Sequence, residues 1–369
     1  MMNDLVLEVN HLRKLYPVSQ GIVDSLRRLP QRWVHAVDGI SFTLKRGEIL
    51  ALVGESGSGK TTVGLCTLGL VEPTEGHILL QGEDVVELVH SRRRQELRRQ
   101  AQLIFQDPYE SLNPRQTVLR AVAEPLQVHH LAAGKADRVE KVTVALEDAG
   151  LKPASTFLHR YPQQLSGGQR QRVVIASALV MNPLYLVADE PVSMLDVSIR
   201  AEILNLLLSL RDEHNITMLY ITHDLASAAY LADRVAVMYL GVIVEIGPAD
   251  VVLNDPRHPY TQALMSVIPV PNPRRRHKRM VLQGETPDPI DLPSGCRFHP
   301  RCPEANPICS EVEPRLEDLG EDHQAACLLV SGTGEKKKSG RSRDFQIAQG
   351  ALHGKIYAIW KSRLQNGNC

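Results

Sequence analysis

The stretch Gly54-Glu55-Ser56-Gly57-Ser58-Gly59-Lys60-Thr61 meets the pattern G-x-x-x-x-G-K-[ST] at every fixed position, and it follows an apolar run, Ile49-Leu50-Ala51-Leu52-Val53. An apolar strand entering such a loop is the setting in which the pattern wraps a polyphosphate. Gly54, Ser56, Gly57 and Gly59 let backbone N–H groups turn inward, and Lys60 reaches the outer phosphates as a point charge. Thr61, with Thr62 beside it, places a hydroxyl for Mg²⁺. A helix starting near Gly59 adds its positive end to the same anion. The bland alternative is a glycine-rich strand-to-helix turn with a chance lysine, and the full match with its flanks disfavours it. A bound nucleotide is expected.

Composition bounds the rest. At 369 residues the chain exceeds one typical domain, so one large core with a smaller appendage is the natural expectation. Lysine plus arginine equals aspartate plus glutamate at 42 each, which gives no overall pull toward nucleic acid or an anionic surface. Met1 to Asn10 carries acidic residues and no long apolar core, so a secretory signal is not expected. Apolar runs such as Val173–Ala176 and Leu184–Ala188 fall far short of the ~20 residues that span a bilayer, and a soluble chain is expected.

Further motifs follow the loop in order, and each has an ordinary reading when taken alone. Leu103-Ile104-Phe105-Gln106-Asp107-Pro108 is a strand-like run whose Gln106 could orient a water or a metal ion; strand-end glutamines are usually surface residues. Leu165-Ser166-Gly167-Gly168-Gln169 opens a helical pattern with exposed N–H groups and a hydroxyl, either a second anion site or a simple N-cap. Leu184 to Ala188 leads into Asp189-Glu190-Pro191, where successive strand residues point to opposite faces. Asp189 can then hold a Mg²⁺ water while Glu190 faces the attacking water; an acidic strand exit is the plain alternative. Ser193 to Asp196 would be an unremarkable N-cap region by itself, and Met218 to Thr222 ends at His223-Asp224.

In that order these motifs resemble the nucleotide-binding subunit of an ABC transporter, over about Leu5 to Pro248. The resemblance implies an α/β fold: a P-loop NTPase core of the ABC type with an antiparallel β subdomain, a helical subdomain and a small C-terminal extension. It implies ATP and Mg as cofactors, with Thr61, Gln106 and Asp189 around the metal, Glu190 as general base, and His223 and Gln106 sensing or orienting the outer phosphate. Tyr16, in Leu15-Tyr16-Pro17, would stack on adenine; the segment Val18 to His35 lengthens the chain between that aromatic and the first core strand. Each chain carries one phosphate loop and one signature, so Ser166, Gly167, Gly168 and Gln169 would close on ATP held by a second ATPase subunit, identical or different. Phosphoryl transfer to water then depends on positioning and charge neutralisation.

Residues 1–85 read as short apolar strands, 86–165 as a mostly helical insert with five arginines in Ser91–Gln100, and 166–247 as alternating strands and helices with a parallel sheet. The arginine run reads as a solvated helix face. By the resemblance, the insert docks the membrane partner, with Tyr109 to Pro114 near the contact.

Domain 1–250 is thus expected to be the nucleotide-binding unit, followed by an extension over 251–330. His258-Pro259-Tyr260-Thr261-Gln262-Ala263-Leu264, a Pro- and Arg-rich link (Pro269–Arg279), and Gly295-Cys296-Arg297-Phe298-His299-Pro300-Arg301-Cys302-Pro303 resemble the extension of ATP-binding subunits of dipeptide and oligopeptide importers, with nickel and glutathione relatives. The implied protein powers peptide import at the cytoplasmic face of a bacterial inner membrane. It would work beneath two permeases fed by an extracytoplasmic peptide-binding protein, with no nucleic acid involved. The competing class is a soluble ABC ATPase acting on ribosomes or nucleic acid.

Cys296, Cys302, Cys309 and Cys327 are spaced C-x5-C-x6-C-x17-C, which lacks the paired C-x-x-C knuckles of a zinc ribbon. A reducing cytosol disfavours disulfides. A small Pro-rich lobe with four thiols suits a [4Fe–4S] cluster, which some relatives of the extension hold, then zinc, then free buried thiols. The tail 331–369 carries eight Lys or Arg against two acids and reads as basic and disordered.

Overall fold

The structure, a computed structural model, describes residues 4–19, 30–267, 280, 282 and 284–330. Strands β1 (Leu5–Pro17), β2 (Trp33–Lys45), β4 (Glu75–Leu80) and β5 (Glu83–Asp84) form an antiparallel sheet in the order β2-β1-β4-β5. The second sheet contains β3 (Ile49–Val53), β6 (Ala101–Ile104), β7 (Tyr185–Asp189), β8 (Thr217–Thr222), β9 (Arg234–Tyr239) and β10 (Val242–Pro248). It is completed by β11 (Glu317–Asp318) and β12 (Gln324–Ala325), in the order β11-β12-β10-β9-β3-β8-β7-β6.

The run β9-β3-β8-β7-β6 is parallel, and its strands are apolar because helices or the second sheet cover both faces. On β3, Ile49, Ala51 and Val53 enter one core with the helices Val118–Val128, Gly167–Leu179 and Val197–His214. Leu50 and Leu52 enter the other with Leu7, Val9, Phe42 and Leu80 of the antiparallel sheet. The strand just before the phosphate loop is thus gripped from both sides, which fixes where that loop begins.

One expectation needs revision. Residues 1–85 do not hold only short strands: β1 and β2 run 13 residues each, and register shifts such as that between Val9 and Leu12 let so long a pair bend around the core. The segment 86–165 is mostly helical, and the strand-like run at Leu103 falls in β6, which pairs parallel with β7 at the edge of the core sheet. The extension over 251–330 packs onto the main core. Tyr260 and Phe298 pack on Tyr239 of β9 with ring centroids 4.7 and 5.3 Å away, and β12 extends the core sheet by pairing with β10. Glu245 on β10, fully buried, accepts from the backbone N–H groups of Arg257 (2.7 Å) and His258 (2.9 Å) and lies 2.7 Å from His323 Nε2.

Among the described residues no helix is long and apolar enough to cross a membrane. The expectations for the tail 331–369 and for the link Pro269–Arg279 fall outside the described residues.

Candidate functional site

The carboxyl ends of β3, β6, β7 and β8 share one edge of the sheet, where ligands of open α/β folds are received. A cleft of about 680 Å³ opens there, lined by Gly54 to Gly57, Gly59 to Thr62, Gln106, Glu190 and His223. The loop must be glycine at its closest approaches. Gly59 has φ 102°, and a Cβ there would sit 2.0 Å from the Ala36 carbonyl oxygen; one on Gly54 would sit 2.1 Å from that of Met238.

Lys60 starts the helix Lys60–Thr67 and is nearly buried. Its Nζ donates to the carbonyl oxygens of Gly54 (2.9 Å) and Glu55 (2.8 Å) and to Ser58 Oγ (3.3 Å). Burial pushes its pKa down, opposed by the charges of Glu190, Asp189 and Glu55. An ammonium partly stripped of water among neutral acceptors is primed to take a phosphate oxygen, a stronger partner.

Asp189 closes β7 and accepts a hydrogen bond from the Thr61 side chain. Burial raises its pKa; the Thr61 bond pulls it down, Glu190 raises it and Lys60 lowers it, and the net shift is upward. A hydroxyl and a carboxylate in contact beside the phosphate loop suit Mg²⁺, a hard cation that takes its remaining oxygens from substrate phosphates and water. Gln106 spends its Nε2 on Glu190 Oε2 at 3.1 Å, so its Oε1 is the atom it would turn to a cation.

Glu190 is the centre of the arrangement. Its φ of 45° is a costly conformation for a non-glycine residue, and it is held by its N–H donating to Ile221 O (2.9 Å) and by Ser193 Oγ donating to its carbonyl (3.0 Å). His223 Nδ1 lies 3.0 Å from Glu190 Oε1. An ionised carboxylate only accepts, so that contact puts the proton on Nδ1 and leaves Nε2 for a phosphate.

The signature stands apart from this cleft within one chain. Ser166 caps the helix Gly167–Leu179: its Oγ accepts from Gln169 N (3.3 Å) while Gln169 Oε1 accepts from Ser166 N (3.1 Å). Gly168 cannot carry a Cβ without meeting Ile199 Cγ2 at 2.6 Å, and Arg170 stacks 4.4 Å from the Tyr109 ring, which joins this helix to the turn after Gln106. The motif therefore presents Gly167 and Ser166 at the start of a braced helix.

Tyr16 is not among the residues lining the cleft, although Val34, its partner across the strands, is. It pairs with Val34 on β2, and Lys14, two residues earlier on the same strand face, stands over its ring at 5.1 Å. The cleft is also lined by Val34, Ala36, Leu264 and Pro289. Leu264 closes the extension motif, but nothing in the sequence pattern places it or Pro289 beside a loop more than 200 residues earlier.

The four cysteines are free thiols and near neighbours. Cys296 N donates to Cys309 O at 2.8 Å, and burial raises the pKa of Cys296, Cys302 and Cys327, the last to about 11, with repulsion between neighbouring thiolate charges adding to it. The expected ligand set is not formed: among the described residues, no three His, Cys, Asp or Glu side chains are placed to hold a metal ion. Cys309 instead turns its Sγ to Asn306 Oδ1 at 3.2 Å.

A lysine-bearing phosphate loop, a strand-end carboxylate pair, and a glutamine and a histidine converging on Glu190 define an ATP-binding cassette. Residues 37–193 match the ABC transporter family, and residues 244–309 match the oligopeptide/dipeptide transporter C-terminal region. An oligopeptide transport ATP-binding protein of Bacillus subtilis, AppF, is 45% identical over 89% of this chain and 98% of its own. The dipeptide transport ATP-binding protein DppF of Escherichia coli is 44% identical over 88% of this chain and 94% of its own. Among solved structures, a dimeric ATP-binding cassette with ADP and Pi, MJ0796, matches with a TM-score of 0.57 at 28% identity, covering 66% of this chain and 98% of that one. The chain belongs to the ABC transporter family, as an ATPase subunit of its oligopeptide/dipeptide branch.

Proposed function

We propose that this chain hydrolyses ATP to power peptide import. The observation that carries the reading is the contact of Gln106 and His223 with the two oxygens of one carboxylate, Glu190, across the cleft from Lys60. Lys60 draws in the outer phosphates. Gln106 and His223 hold the Glu190 carboxylate in place to take a proton from water, and His223 Nε2 bears on the phosphate that leaves. Mg²⁺, when bound with the nucleotide at Thr61 and Asp189, neutralises phosphate charge.

Ser166 to Gln169 lie outside the cleft of their own chain, which supports closure on ATP held by a second ATPase, identical or different. The exposed aromatics Phe105 and Tyr109, beside Gln106, support a permease contact there. On this reading the chain sits at the cytoplasmic face of the inner membrane with two permeases and an extracytoplasmic peptide-binding protein. The division near residue 250 is one of role, the extension marking the peptide branch. A ribosome or nucleic-acid role draws no support from the relatives, which are named as peptide transport proteins. The residue assignments rest on this geometry, and a metal at the four cysteines rests on thiol number and proximity alone.

The test is reconstitution: purified chain with its permeases in proteoliposomes should hydrolyse ATP faster when binding protein and peptide are supplied. A chain that pellets with ribosomes and never associates with permeases overturns the reading. Iron, sulfide and zinc assays on anaerobically purified protein decide the metal content.

A further inference from the structure

The nucleotide loop is gripped from behind by the extension. Glu55, the second residue of the loop, lines the cleft, and a carboxylate at the mouth of an anion site repels the ligand the site is built to hold. Its charge is met by Arg301, which lies between Cys296 and Cys302 with only 9% of its side chain exposed. Arg301 Nη1 donates to Glu55 Oε2 at 2.8 Å, Nη2 to Oε1 at 3.3 Å, and Thr286 Oγ1 donates to Oε2 at 2.7 Å. The planar fork matches the carboxylate with two parallel bonds.

The rest of Glu55 is fixed as firmly. Its N–H donates to the Tyr260 hydroxyl at 2.9 Å, and its carbonyl accepts from Lys60 Nζ. Burial alone would raise the Glu55 pKa, but the bonds from Arg301 and Thr286, with the charges of Arg301 and Lys60, bring it below the ordinary value. Arg301 is itself seated: Phe298 is buried against Tyr239 and Tyr260, and Arg297 Nη2 reaches Asp38 Oδ2 at 2.5 Å. The cysteine-bounded segment 296–302 thus faces the loop with one arginine and β2 with the other.

Building on the ATPase reading above, we propose that Arg301 is a positioning residue for ATP: acting through Glu55, it cancels a repulsive charge and holds the loop in its binding shape. ATP affinity is therefore set in part by the extension.

The experiment is steady-state ATPase and fluorescent-nucleotide binding on the full chain. Arg301→Gln should raise the KM for Mg-ATP about 10-fold with kcat close to the parent, in the usual range for coupling between sites. Adding Glu55→Gln to that variant should recover most of the loss, because the uncompensated charge is then gone, and Arg301→Lys should recover part of it. Thr286→Val, at an exposed position, should raise KM about threefold and serves if Arg301→Gln does not fold. A parent that binds no ATP overturns the ATPase reading and this inference with it. A parent that binds ATP beside an Arg301→Gln or Thr286→Val variant of unchanged KM overturns this inference alone. So does a Glu55→Gln addition that deepens the defect.

Discussion

His223 Nδ1 stands 3.0 Å from Glu190 Oε1 while Gln106 Nε2 donates to Oε2 of the same carboxylate at 3.1 Å. One group is delivered by the end of β8, one by the end of β6 and the carboxylate by the end of β7, so the contact is made only when three neighbouring strands are in register. A base is useful when its orientation is already settled before the water arrives, and two partners on opposite oxygens settle it.

Glu190→Gln keeps the size of the side chain and removes its ability to accept a proton. Turnover should fall about 10²- to 10⁴-fold, the usual worth of a positioned base, with ATP binding retained. Single-turnover hydrolysis together with equilibrium nucleotide binding checks both halves. Hydrolysis at the parental rate removes Glu190 from the role.

Gly59→Ala should abolish ATP binding. The new methyl group would lie 2.0 Å from the backbone oxygen of Ala36 at a φ of 102°, so the loop must move, and backbone strain of this kind costs on the order of 1–3 kcal/mol before any lost contact is counted. Nucleotide titration beside a thermal melt checks it. A variant that binds ATP like the parent would show that the loop has another shape available.

Much of this site was legible because each motif carries its own local signal. The apolar runs before Gly54 and Asp189 read as buried strands, and the residues after them fall at one sheet edge by topology. The partnership of Arg301 with Glu55 was not legible, since no periodicity records a charge pair 246 residues apart. Strands β11 and β12 are two residues each, too short for an alternating pattern to show. The contact of Lys14 with the Tyr16 ring was not legible either, since the motif marks only an aromatic near β2. The cysteine spacing brings the thiols near one another and does not set the orientation of each side chain that a metal needs.

Ser166→Arg tests the shared site. The serine lies outside its own chain's cleft, so ATP binding by the single chain should survive, while the added bulk and charge block the face that receives a partner's nucleotide. In the Glu190→Gln background, Mg-ATP should drive dimers that elute early on size exclusion, and adding Ser166→Arg should leave monomers. Loss of the capping box contributes about 0.5–2 kcal/mol of destabilisation, visible as a lower Tm. Dimers that persist in the double variant would place the signature elsewhere.

His258 gives the fold a defined acid limb. It is almost fully buried, and burial pushes its pKa down from the ordinary 6.5 to about 3, so it is neutral in the native state. The Glu245 carboxylate, which accepts from the His258 N–H, and His323 beside that carboxylate are the titratable groups packed nearest, with the Phe298 ring 5.6 Å away. Its Nδ1 accepts from Tyr260 N at 3.1 Å and caps the helix Pro259–Ser266, and a protonated ring would lose that acceptor. Below pH 6.5 the unfolded chain takes up a proton that the native chain refuses, so this residue removes stability as pH falls toward 3, by at most about 1.4 kcal/mol per pH unit. Asp38 and Glu55 add loss of the same sign, since arginine contacts outweigh burial and hold both carboxyls low. His258→Asn isolates the histidine, because an asparagine oxygen can still cap the helix and does not titrate. Urea unfolding between pH 7 and pH 4 should show the parent losing its advantage over this variant steadily as acid is added. A difference that stays constant with pH would mean that the buried ring is accommodated in its protonated form.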